Sequence, residues 1–168
     1  MKVFDWSRLG DIKAGRENLG ELMPVAVYRL QQFNLMDEMT DQLGKEKAEE
    51  ILRGAGFRSG YAFGMKMLSG VPDFNTFVSS LTDALRSFGI GILRVEKADL
   101  GNLDLVLTVS EDLDCSGLPI LGDTVCVYDE GFIAGVLECY TGTVFDVAEV
   151  DCWATGARTC RFTAKGRI

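Results

Sequence analysis

The stretch from Cys126 to Cys160, CVYDEGFIAGVLECYTGTVFDVAEVDCWATGARTC, constrains this chain more than any other, because it places thiols and a carboxylate on faces that must be buried. Val144 to Val150 reads as a strand, and alternation puts Phe145, Val147 and Glu149 on one face and Val144, Asp146 and Ala148 on the other. A carboxylate sharing a face with Phe145 and Val147 is costly unless it is paired, protonated or bound to a cation. Cys152 and Cys160 flank the turn Ala154-Thr155-Gly156-Ala157, and the closing strand turns Cys160, Phe162 and Ala164 one way and Arg161 and Thr163 the other. Two thiols and one carboxylate thus converge at one end of a hairpin. Cys126, which opens an amphipathic helical run, is the natural fourth partner.

The chain contains no histidine, so a zinc site has to be assembled from Cys with Asp or Glu. The spacing Cys126-x(22)-Glu149-x(2)-Cys152-x(7)-Cys160 supplies three thiols and a carboxylate, with Cys115 or Glu130 as substitutes for the fourth ligand. The competing reading is buried structural thiols, and Cys139, well round the helix from Cys126, is read that way. An iron–sulfur cluster finds no ferredoxin-like run of cysteines, and a redox dithiol finds no CxxC.

The remainder reads as a container. Residues 1–21 form an N-terminal lead-in whose glycines indicate a fixed turn. A phosphate loop there lacks the preceding strand and the Lys-Ser/Thr that would support it. Residues 22–168 form the domain. Pro24 starts a helix expected to reach about Glu38, and a second runs from about Lys45 to Leu68. In it Gly56, Gly60 and Gly64 recur every four residues as a bare ridge, at a cost of about 1 kcal/mol each relative to Ala. Close packing of another helix or a dimer partner explains such a ridge; room for a ligand is the alternative. A third helix, about Phe74 to Phe88, carries Phe74, Phe77, Leu81, Leu85 and Phe88 on one side. The period then switches to two, giving strands over Ile90–Ala98 and Leu103–Val109, and a loop over Glu111–Gly122. Asp123 or Thr124 is expected to cap the helix on which Cys126, Glu130, Ile133 and Leu137 share a face.

A net charge of −8 argues against a nucleic-acid surface. No window approaches a membrane span, no export signal is evident, and reduced thiols in the cytoplasm are expected.

The segment from Cys126 to Phe162, with Gly131, Gly135, Glu149 and then Cys152-x(3)-Gly156-x(3)-Cys160-x-Phe162, resembles the vinyl-4-reductase domain. That resemblance implies a Bet3-like α+β fold of the trafficking-complex type, with helices packed on an antiparallel sheet and dimerisation through the early helices. It also implies zinc held by Cys126, Glu149, Cys152 and Cys160 beside a hydrocarbon pocket, as in phenol-responsive transcription activators. Those sensors orient their ligand with a histidine that this chain lacks, so a more apolar or differently shaped ligand is expected. No ATPase or DNA-binding domain accompanies the motif, so regulation is expected to pass through a protein partner.

Three functions follow. In the first, a homodimeric sensor holds a small apolar or aromatic molecule among Phe77, Leu103, Leu105, Glu130 and Val147. The second is an enzyme of tetrapyrrole metabolism, suggested by the family name. Vinyl reduction needs a hydride source, and no dinucleotide fingerprint follows a strand here; a zinc with four protein ligands also leaves no open position. The third is an assembly protein that dimerises through the glycine ridge. The non-enzymatic sensor with structural zinc is the expectation.

Overall fold

The computed structural model describes residues 3–167. Residues 1–49 and 50–168 form two compact units. In the first, Asp5 caps a short 3-10 turn, Trp6–Leu9, and Asp11 caps a one-turn helix α1, Ile12–Gly15. The lead-in is therefore two capped helical turns rather than a single fixed turn. Helix α2, Val25–Leu43, starts directly after Pro24 and runs past Glu38, because no breaker intervenes before Gly44 at φ +84°. None of its residues is buried, and it exposes Val25, Val27, Leu30, Leu35 and Leu43. Helix α3, Lys45–Met67, follows and carries the chain into the second unit.

That unit is an α+β layer. Helix α4, Phe74–Ser87, is capped by Asp73, whose carboxylate accepts from the Thr76 N–H at 3.0 Å. Strands β1, Ile92–Asp99, and β2, Asp104–Ser110, precede helix α5, Val127–Thr141, and strands β3, Phe145–Asp151, and β4, Cys160–Gly166. The four strands form one antiparallel sheet in the order β1-β2-β4-β3. The faces follow the sequence alternation: Phe145 and Glu149 are buried in β3, and Cys160, Phe162 and Ala164 in β4. Helix α4 packs on β1, and α5 packs on β3 and β4.

The glycine ridge is filled by α5 of the same chain. A Cβ at Gly60 would stand 2.0 Å from the Phe132 carbonyl oxygen, and one at Gly56 2.0 Å from that of Tyr128. The fit is reciprocal, since a Cβ at Gly131 or Gly135 would meet the carbonyl oxygens of Arg53 and Phe57 at 1.9 and 2.2 Å. Helix packing thus explains the ridge, which leaves it unavailable as a dimer face. Phe88, placed on the buried side of the third helix by its spacing, ends that helix as the C-cap and is half-exposed.

Candidate metal centre and adjoining cavity

Helix α5 begins at Val127 with Cys126 as the N-cap, not Asp123 or Thr124. The Cys126 thiol makes no capping bond and points instead into a buried cluster with Cys115, Cys152 and Cys160, whose four Sγ atoms all lie within 4.8 Å of one another. Cys126 Sγ is 3.9 Å from the sulfurs of both Cys152 and Cys160, and Cys115 Sγ is 3.0 Å from Cys160 Sγ. All four are free thiols. Two thiolates on one zinc at about 2.3 Å in a tetrahedron would stand roughly 3.8 Å apart, so the Cys126 spacings fit a shared metal ion. The 3.0 Å pair is longer than a disulfide and too close for two uncharged thiols to be at rest without something between them or a hydrogen shared.

Local structure delivers each sulfur. Cys115 sits in the loop after β2, where Asp112 Oδ1 accepts from the N–H groups of Asp114 at 2.8 Å and Cys115 at 3.2 Å. The same loop is anchored by Trp153 Nε1, which donates to the Leu118 carbonyl at 3.0 Å, and by the Leu121 N–H to the Ala154 carbonyl at 2.7 Å. A bulge in β3 between Glu149 and Asp151 re-aims the chain just before Cys152. The Thr155 hydroxyl, which accepts from the Cys152 N–H at 3.2 Å, then closes the turn toward Cys160.

Glu149 stands beside the thiols. Its Oε2 accepts from the Cys126 N–H at 3.0 Å, while its Oε1 is buried without a hydrogen-bond partner. Burial pushes its carboxyl up to about 8, opposed by the Cys126 N–H and reinforced by the neighbouring Cys152 sulfur. Within the cluster Cys152 is the thiol driven toward thiolate, by hydrogen bonds from Cys115, Cys126 and Cys160, and Cys126 and Cys160 are correspondingly held as thiols. Glu130 lies elsewhere than the helix phase suggested. Its Oε2 accepts from Arg53 Nε at 2.9 Å and Nη2 at 2.7 Å, and its Oε1 from the Glu149 N–H at 2.9 Å.

Next to this cluster is an apolar cavity lined by α4, β1, β2 and α5, including Phe77, Leu81, Leu107, Val109, Ile133 and Val136. The volume open to the centre of a water-sized sphere is about 40 Å³. Of the five candidate ligand contacts, Phe77 lines it. Leu103 is instead a turn residue at φ 47° packed against Gly166, and Leu105, Glu130 and Val147 are not among its walls. The polar groups that do line it, Asp112 and Asp129, are ones that sequence reasoning passed over. Asp129 shares a helical face with Phe132, Ile133 and Val136, and the i, i+3 spacing from Cys126 was the available signal. Burial, then the neighbouring Asp114, pushes Asp112 up to about 6; burial with Asp114 and Asp112 pushes Asp129 well above its ordinary range.

Residues 105–165, which hold β2, the cluster and the hairpin, match the family model of the vinyl-4-reductase domain. The chain carries a vinyl-4-reductase domain. The whole fold is shared more widely. It is similar to the phenol-responsive sensory domain of the transcription activator PoxR, solved with phenol (TM-score 0.65, 19% identity, 88% of this chain and 76% of that one). It is also similar to a vinyl-4-reductase family protein from Methanocaldococcus jannaschii (TM-score 0.63, 17% identity, 100% and 99%). A trafficking protein particle complex subunit 3 from Naegleria fowleri, covalently bound to palmitic acid, has a TM-score of 0.65 at 13% identity over 86% and 95%. At such identities the likeness establishes the fold: the vinyl-4-reductase domain here sits in the Bet3-like α+β architecture. Among the described residues no helix is long and apolar enough to cross a membrane.

Proposed function

We propose that this chain is a sensor-type domain that holds a small hydrophobic or aromatic molecule in the α4–β1–β2–α5 cavity, with structural zinc fastening the start of α5 to the β3–β4 hairpin. The apolar cavity abutting the cysteine cluster carries the reading. Pockets for small molecules are mostly apolar with a few placed polar groups, and this one follows that pattern. The phenol-responsive role of the PoxR domain and the palmitic acid on the trafficking subunit support it.

Zinc would be held by Cys126, Cys152 and Cys160, with Glu149 or Cys115 closing the set. Glu149 offers an oxygen that lacks a partner, and Cys115 offers a sulfur already among the other three. Four protein ligands leave no position for substrate or water, so the metal supplies geometry rather than chemistry. The role is therefore binding, in a compartment that keeps thiols reduced, as the cytoplasm does. The signal passes to a protein partner. The unburied apolar residues of α2 supply a surface for self-association into a homodimer.

The test is Cys152→Ser, assayed for zinc content, thermal stability and toluene binding. All three fall together if the metal pins the cavity's wall. Normal zinc and stability in the variant would sink the assignment, and unchanged toluene binding in a zinc-free variant would separate the cavity from the metal.

A further inference from the structure

The cavity has one polar end, and that end is acidic. Asp112 and Asp129 are its only carboxyl-bearing walls, and among the described residues no Lys or Arg lines it. Asp112 Oδ1 is occupied by the N–H groups of Asp114 and Cys115. Asp129 is different: part of the residue reaches the surface, but its Oδ2 is closed off from solvent and has no hydrogen-bond partner. A buried acceptor without a donor is destabilising, and a donor on a bound molecule removes that cost.

We infer that the cavity selects a mainly apolar molecule of about single-ring size with one hydrogen-bond donor, a hydroxyl or an amine, received by Asp129, and that it rejects carboxylates. The inference rests on the cavity being the binding site proposed above. Size follows from the 40 Å³, which corresponds to about three waters at roughly 10–15 Å³ each; a long acyl chain does not fit such a space. Sign follows from the walls, since an anion would face two carboxyls and no cation. The head group would also lie beside the metal cluster, because the Asp112 and Asp129 oxygens and Cys126 Sγ lie within 4.8 Å of one another. Occupancy at this end is thus placed to be felt where α5 begins.

Titration calorimetry of the full chain as purified, with benzyl alcohol, benzylamine, toluene and benzoate, tests this. Benzyl alcohol and benzylamine should bind about tenfold more tightly than toluene, the scale of one buried hydrogen bond to a charged or strongly polar group, and benzoate should give no measurable heat. Asp129→Leu should bring the alcohol down to the level of toluene while toluene binding persists. If that variant does not fold, Asp129→Asn, which keeps an acceptor oxygen, should hold alcohol binding within a few-fold and lose any preference for the amine. Toluene binding as tightly as the alcohol, or benzoate binding best, overturns the inference and leaves the cavity reading intact. Failure of all four probes overturns both. Uptake of a second metal equivalent that Asp129→Asn abolishes would make this end a cation site and would also overturn the inference.

Discussion

The backbone N–H of Cys126 donates to Oε2 of Glu149 at 3.0 Å, so the first residue of the helix cap is bonded to the strand that carries the metal-site carboxylate. Glu149 is tied back in turn, its own N–H donating to Glu130 Oε1 at 2.9 Å, and Glu130 is held from α3 by Arg53. Three elements are thus cross-linked by protein atoms alone, which makes the protein frame of the site independent of an ion.

Glu130→Ala should therefore destabilise the fold by about 1–3 kcal/mol, the cost of stranding the buried Glu149 N–H. Glu130→Gln retains an acceptor and should lose less, because the Arg53 side of the pair is partly exposed. Urea denaturation of the two variants separates them; equal losses would mean that the Glu149 bond contributes nothing.

Substitution at the helix crossing has a sign set by space. Gly60→Ala and Gly135→Ala drive a methyl into a backbone carbonyl at 2.0 and 2.2 Å, and should cost about 1–3 kcal/mol or more as α3 and α5 are forced apart. Gly54→Ala, where a Cβ meets nothing within 4 Å, should instead stabilise by up to about 1 kcal/mol through helix propensity. Thermal midpoints check both; a stabilised Gly60→Ala would contradict the interlock.

The ridge shows how far the sequence could be read. Three glycines at a four-residue interval announce close backbone contact, and Gly131 and Gly135 of α5 supply the matching face. Strand alternation likewise gave the buried faces of β3 and β4 correctly, because a period of two tolerates no phase error. The helix phase was less secure. Cys126, Glu130, Ile133 and Leu137 make a plausible stripe, yet the cavity takes Asp129 with Ile133 and Leu137, and Glu130 turns toward Arg53. Neighbouring acids one residue apart differ by only about 100° on a helix, and a long-range partner on α3 decided between them. Cys115 was legible only as a substitute, since a loop residue acquires its position from Asp112 and Trp153 anchors that no local pattern reveals.

Acidity gives a pH dependence in the metal-free protein. Folding raises Glu149 from 4.5 to about 8 and Asp112 from 3.8 to about 6, by burial in both cases. The unfolded chain therefore releases these protons first, and stability falls as pH rises, through 3.8 to about 6 for Asp112 and through 4.5 to about 8 for Glu149. Urea midpoints with chelator and reductant should decline from pH 5.5 to pH 8, and Glu149→Gln should flatten the decline above pH 6. A variant with the wild-type slope would remove Glu149 as its cause.

Two groups compete to complete the metal set. Cys115→Ser and Glu149→Gln should each retain zinc, whereas the double variant should lose most of it, because three ligands remain where structural zinc takes four. Metal-to-protein ratios from elemental analysis decide this. Complete loss in Glu149→Gln alone would assign the fourth position to the carboxylate, and complete loss in Cys115→Ser alone would assign it to the thiol; either ends the redundancy.

The central claim is a metal ion joining α5 to the hairpin beside an apolar cavity. Native mass spectrometry of untagged protein purified without chelator, repeated on the same sample after denaturation, tests it most directly. The account predicts one zinc per chain that is released on unfolding, with room for one small organic mass. A metal-free native mass under reducing conditions, with Cys115, Cys126, Cys152 and Cys160 all present as thiols, would contradict it and leave the cluster as core packing.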